Sequence, residues 1–357
     1  MAGWRIDPVA LGLTLVVGTA GGALASLARL PLAFMLGALL ATALMALLNI
    51  RPLGRPMTLP NRYRSLMLPV IGLAIGGAFG PGLFQEAAGW WPTMLALVVY
   101  LPLAHLLGIT IFRLGGLGRA EAFYGAFPGG LIESIQLAEE AGADARIVSM
   151  MHFMRVLVTI LGMTLIFVLI TGGLVGSATG AKLPGADALA GRDLAILVVL
   201  GIVGFVGAKA VQMPAGPMLG PMVLSAAAHM TGLVHGVPPD WLLYAAQVVV
   251  GCGLGARFAD FDRSLMMRTL RLALISALAV LALGGGFALV LAQVVPLPAT
   301  AVYLAYAPAG QAEMSLIALS LDLGVVFVAA HHLARLVLTI FFMRLWAMIA
   351  RRRRGQD

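Results

Sequence analysis

Hydrophobic residues in this chain come in long runs separated by short polar stretches, and an α-helix needs about 20 such residues to cross a bilayer. The runs predict membrane helices near residues 8–28, 31–50, 66–80, 91–113 and 146–172. A second set follows near 193–211, 214–235, 241–257, 270–294 and 325–349. The stretch 173–192, made of Gly, Ala, Pro and a few charges, reads as a linker between the sets. Two further segments, 119–142 and 300–322, are long enough to cross, but each is interrupted by Pro-x-Gly and carries a carboxylate. Proline removes a backbone donor and glycine loosens the helix, so both segments are expected to break there.

The two sets are copies of each other. At an offset of 180 residues Pro128, Gly130, Glu133, His152, Arg155 and Thr159 fall on Pro308, Gly310, Glu313, His332, Arg335 and Thr339. Chance aligns apolar residues in so biased a composition, but rarely a Pro, Glu, His, Arg and Thr together, so the match marks an internal duplication. At an offset of 183, Gly18, Gly21, Ala25 and Pro31 fall on Gly201, Gly204, Ala208 and Pro214, and Met35-Leu36-Gly37 on Met218-Leu219-Gly220. The first span could otherwise pass for a cleaved signal peptide, but this correspondence assigns it to the repeat. The expected organisation is therefore 1–172 for the first repeat, 193–349 for the second, and 350–357 for a basic tail.

Composition sharpens the class. Of 357 residues, 61% are apolar and 11% charged, where a soluble domain carries about 25% charged residues. Mean hydropathy is +1.00. The fold class is thus an all-α polytopic membrane protein, with the lipid bilayer as its first partner. The net charge of +8 comes from arginines between the apolar runs and in the tail, which is the distribution of the positive-inside rule rather than of a nucleic-acid surface. Arg51, Arg55, Arg62 and Arg64 mark the 51–65 loop as cytoplasmic, as do Arg257, Arg263, Arg268 and Arg271 the 257–271 loop, and Arg351 to Arg354 the C-terminus. All three regions share one side only if the broken segments dip in and return as re-entrant hairpins. Ten spans then remain, five per repeat, and an odd number inverts one half relative to the other. The single cysteine, Cys252, excludes an internal disulfide framework.

Inverted repeats with broken helices are the architecture of many secondary transporters, whose sites lie at the breaks. Candidate ligand- or ion-binding residues are accordingly Pro128, Gly129, Gly130, Glu133 and Gln136, with Pro308, Gly310 and Glu313 in the second copy. Glu133, Gln136 and Glu140 share a helical face, while Ser315 and Ser320 replace most of that stripe in the second copy, so the first hairpin is expected to be the more polar. His152, Arg155 and Thr159 also share a face, repeated by His332, Arg335 and Thr339, and these are candidate gating or supporting residues. An intramembrane arginine needs a partner, and Glu133 and Glu313 are the natural ones. Two readings stay open: the Glu–Arg pairs clamp each hairpin, or they form the site, with histidine relaying protons. No Cys/His or HExxH spacing points to a metal, and no P-loop, nucleophile triad or dinucleotide turn is present.

The duplicated PGG-x-x-E at Pro128 to Glu133 and H-x-x-R at His152 to Arg155 resemble the bacterial membrane AbrB-duplication family over almost the whole chain. The second copy departs from the pattern at Ala309 and Gly324. The labels carried by that family imply gene regulation or ammonia oxidation. A DNA-reading regulator needs a soluble basic element, which no loop here is long enough to form, so no direct nucleic-acid contact is expected. A monooxygenase needs a redox site, for which the histidine spacing offers none.

The expectation is a multi-pass protein of the bacterial inner membrane with both termini cytoplasmic. It would be a secondary transporter or permease for a small molecule or ion, coupled to H+ or Na+ and without another cofactor. The alternative is a membrane sensor or regulatory protein acting indirectly on gene expression, with a membrane monooxygenase third. A homodimer is the expected assembly, as the commonest twofold case.

Overall fold

The computed structural model describes residues 7–30, 32–171, 191–260 and 263–353. Most of the expected linker, and the tail beyond Arg353, lie outside the described residues. Each apolar run becomes a helix: α1 (Pro8–Leu27), α2 (Ala33–Leu47), α3 (Asn61–Gly76), a short α4 (Leu83–Ala87), and α5 (Trp91–Leu114). Then come α6 (Arg119–Gly125), α7 (Leu131–Glu140) and α8 (Ala145–Thr171). The second half gives α9 (Gly191–Ala210), α10 (Gly216–Met230), α11 (Asp240–Gly255) and α12 (Arg263–Leu291). It ends with α13 (Ala299–Tyr306), α14 (Gln311–Ser320) and α15 (Val325–Arg353).

The protein is an all-α membrane protein, in which seven described helices are long and apolar enough to cross a bilayer. The other three expected spans are shorter, α2 and α10 having 15 residues and α3 having 16. At about 1.5 Å per residue they reach only some 23 Å. All three are extensively buried by neighbouring helices, so protein rather than lipid surrounds much of their length.

The chain forms two compact units, and neither coincides with a sequence repeat. The first gathers α1–α3 and α9–α11, three helices from each half. Its helices meet backbone to backbone. A Cβ on Gly37 would overlap the Gly21 carbonyl, and one on Gly220 would overlap that of Gly204, the same pair one repeat later. The halves also exchange partners: Gly72 of α3 lies against the Met218 carbonyl of α10, and Gly251 of α11 against that of Met35 in α2. Close approach of this kind is how membrane helices gain packing energy when lipid is as apolar as they are.

The second unit is built mainly from α5–α8, α12, α13 and α15. Its helix directions can be traced from contacts at their ends. The Asp144 amide, just before α8, bonds the Glu121 carboxylate near the start of α6 at 3.2 Å. The first hairpin therefore returns to the side from which it entered. In the second copy, His332 of α15 bonds Leu304 and Arg335 bonds Ala307, a constant difference of 28 residues that sets the start of α15 level with the start of α13. That hairpin also returns.

The two hairpins enter from opposite sides. Near its start α15 meets the beginning of α5, where His331 lies 2.8 Å from Thr93. Near its end Trp346 stacks on Phe123 of α6, ring centroids 5.2 Å apart. Hence α15 ends on the side where its repeat-mate α8 begins, and the halves of this unit are inverted. Replacing Cys252 by Ala and placing single cysteines at Ala143 and Gln293 tests this directly. A membrane-impermeant maleimide should label the two from opposite faces of oriented vesicles, and labelling from one face would refute inversion.

Candidate functional site

A helix broken inside a membrane leaves main-chain carbonyls that no water can satisfy. Both hairpins meet this need with the same histidine–arginine pair, one helical turn apart on the adjoining helix. In α8, Arg155 Nη2 donates to His152 Nδ1 at 2.8 Å, and Nη1 reaches the Gly125 carbonyl at 3.4 Å. Because Nδ1 accepts, the histidine proton sits on Nε2. That nitrogen faces the Tyr124 carbonyl and Ser134 Oγ, each at 3.1 Å, and Ser134 donates to the same carbonyl at 2.5 Å. In α15, Arg335 Nη2 donates to His332 Nδ1 at 2.9 Å and His332 Nε2 to the Leu304 carbonyl at 2.9 Å. Arg335 goes further, donating to the carbonyls of both Ala307 and Ala309, on either side of Pro308.

These bonds correct the expected pairing. The arginines direct their hydrogen bonds to hairpin carbonyls and to histidine, not to Glu133 and Glu313. A guanidinium carries five donors in a planar fork, which suits several oriented carbonyls better than one carboxylate would. The histidines act as acceptors that hold the arginines. A second ring proton would set an N–H against a guanidinium N–H, so the arrangement positions rather than relays.

The carboxylates have another place. Glu133 and Glu313 are each the third residue of the helix that follows the break, where an acidic side chain complements the helix dipole and folds back on the N-terminus. The Glu133 carboxylate comes within 3.6 Å of where a Cβ on Gly130 would lie, and that of Glu313 fills the corresponding space at Gly310. Gly130 itself has φ +63°, which favours glycine. Pro128 and Pro308 are buried, while Gly129 and Gly310 are half-buried. Glu313 is buried at 2% exposure, whereas Glu133 is half-buried and Gln136 exposed.

Each hairpin is held by the opposite repeat. Beside Gly129, the atoms nearest an added Cβ all belong to Thr339 of α15, with Oγ1 at 3.6 Å, and Gly130 lies against Met343 and Ile340. The second hairpin is held by α5: Tyr100 donates to the Tyr306 carbonyl at 2.8 Å, and Tyr306 donates to that of Thr93. Thr339, which touches the first tip, lies about one turn beyond Arg335 on α15. The two clamps thus share one neighbourhood. Thr93, Tyr100, Tyr306, Ser134 and His331 were not singled out from the sequence; a tyrosine inside an apolar run, whose hydroxyl must find a partner once buried, was the available signal.

Thr159 and Thr339 complete the repeated face and are fully buried, yet their hydroxyls have no hydrogen-bond partner. Thr164 shares this state, whereas Thr14 bonds back to Ala10 and Thr42 to Ala38 of their own helices. A buried unsatisfied hydroxyl costs about 1–3 kcal/mol. Among the described residues no group of three or more His, Cys, Asp and Glu side chains could hold a metal ion.

Removing one partner from a buried charge network costs about 3–5 kcal/mol. Arg335→Ala strands the Ala309 carbonyl, takes one of two donors from that of Ala307 and frees His332, whereas Arg155→Ala loses one long bond and His152. Arg335→Ala should therefore lower the melting temperature more, as read by tryptophan fluorescence from Trp90 and Trp346 in the same unit. Equal losses would show that the second clamp is no stronger.

The family model described as "Transition state regulatory protein AbrB" matches residues 43–351. The chain is 26% identical over 344 residues to "Uncharacterized protein YhjN" of Bacillus subtilis (strain 168), covering 91% of this chain and 89% of that protein. It is also 26% identical over 312 residues to "Putative regulator AbrB" of Escherichia coli (strain K12), covering 86% and 87%. With its model spanning most of the sequence and relatives of matching length, the chain belongs to the AbrB family.

Proposed function

We propose that this AbrB-family membrane protein is a secondary transporter or permease of the bacterial inner membrane, with its substrate site at the hairpin tips. The observation that carries the reading is the pair of inverted, broken hairpins, each held by the opposite repeat, with buried polar groups gathered at the breaks. Irregular backbone at membrane depth is tolerated where protein encloses it or a water-filled path passes, and inverted discontinuous helices are the usual frame for such a path. Glu133 and Glu313, at the two helix starts, are the candidates for coupling to H+ or Na+. His152, Arg155, His332 and Arg335 hold the tips in shape around them. The arginine-rich loops orient the protein with both termini in the cytoplasm, and a homodimer is the expected assembly.

A second reading is a membrane sensor acting indirectly on gene expression. It is favoured by the regulatory names of the family and of the Escherichia coli relative. The two readings differ in whether solute crosses. Proteoliposomes challenged with a panel of amino acids, carboxylates and inorganic ions should show saturable uptake of one class. Glu313→Gln should reduce that uptake at least about tenfold, on the scale of losing a hydrogen bond to a charged group. Ligand-induced stabilisation without uptake of any tested solute would favour the sensor.

A further inference from the structure

We propose that the tip of the first hairpin binds a small anion, of the carboxylate or oxyanion class, between the Gly129–Gly130 backbone and Thr339. The proposal deepens the transporter reading and rests on it for the location of the site. Two observations meet there, and a third lies on the adjoining helix α8. The start of α7 presents main-chain N–H groups that have no partner within the helix, at the positive end of its dipole. The Thr339 hydroxyl is 1% exposed, has no hydrogen-bond partner, and its oxygen is among the nearest atoms to the missing Cβ of Gly129. Arg155 is 5% exposed, and its Nε likewise lacks a partner while its Nη1 reaches the end of α6 at Gly125.

Glycine at 129 leaves the peptide N–H groups uncovered, as a backbone anion cradle requires. The second tip is built differently: Ala309 replaces Gly129, and Arg335 spends its Nη groups on two carbonyls and a histidine. The charged groups on the elements packed there are Arg155 of α8, Arg335 about one turn before Thr339 on α15, and Glu133 of α7 itself. His152 is committed as an acceptor to Arg155. Glu133 folds over the same helix start, so it occupies the position an incoming carboxylate would take. Anion binding therefore competes with Glu133, and this fixes the sign of the test.

Thermal unfolding of the purified full chain, followed by tryptophan fluorescence, would be titrated with sodium acetate, succinate, phosphate and sulfate against sodium chloride at equal ionic strength. At least one should raise the melting temperature saturably. Thr339→Val, which keeps the shape and removes the hydroxyl, should weaken that binding by about tenfold, and Glu133→Gln should tighten it. A response to phosphatidylglycerol alone, with the same dependence on both variants, would identify the anion as a lipid headgroup. The proposal is overturned if no anion stabilises the protein, or if the response is unchanged in both variants. It is also overturned if sodium against N-methylglucamine stabilises the protein and Glu133→Gln abolishes the effect, which describes a cation site. Anion binding without flux of any solute would remove the transporter and leave this site. Flux of a cationic or neutral solute with no anion binding would do the reverse.

Discussion

Carbonyl groups released by a broken helix inside the bilayer are the constraint on which the second unit depends. Each such group costs several kcal/mol if left bare in hydrocarbon. A cation is the most effective donor, but an arginine at that depth is itself expensive to insert. The His-x-x-Arg pair answers both demands, because the carbonyls solvate the guanidinium while the guanidinium satisfies the carbonyls. The histidine then holds one of its nitrogens in place, as His332 does for Arg335 at 2.9 Å.

The same logic runs through the contacts between halves. In the first unit α3 packs on α10 and α11 on α2, so neither half closes its own core. In the second, the hairpin of each half is held by a helix of the other: Thr339 and Met343 against the first tip, Tyr100 and Thr93 against the second. A single repeat would expose glycine-lined helix faces in one unit and open hairpins in the other. Each tip is thus braced by the opposite copy, while its His–Arg clamp comes from its own.

Much of this was legible in the sequence. Apolar runs located the helices, Pro-x-Gly located the breaks, and arginine-rich loops implied hairpins that return and halves that oppose. The lengths of α2 and α10 were not legible, because apolar residues continue into their connecting turns and hydropathy alone does not register where a helix stops. The arginine partners were misread for a related reason. Pairing side chains by charge pointed from Arg155 to Glu133, but a break creates main-chain acceptors that no residue letter displays. Tyr100 and Tyr306 were passed over inside apolar runs, although a buried phenol demands an acceptor and here finds one across the repeat.

Two identical halves set in opposite senses would present the same face to each side of a membrane and could not tell inside from outside. The second hairpin breaks that equivalence. Ala309 in place of glycine, the carboxylate of Glu313 sealed beside Gly310, and the twin carbonyl bonds of Arg335 make one tip closed. The other, with Glu133 half-exposed, stays accessible. The two ends of the pseudo-twofold thus come to differ through a handful of substitutions, without any change to the frame.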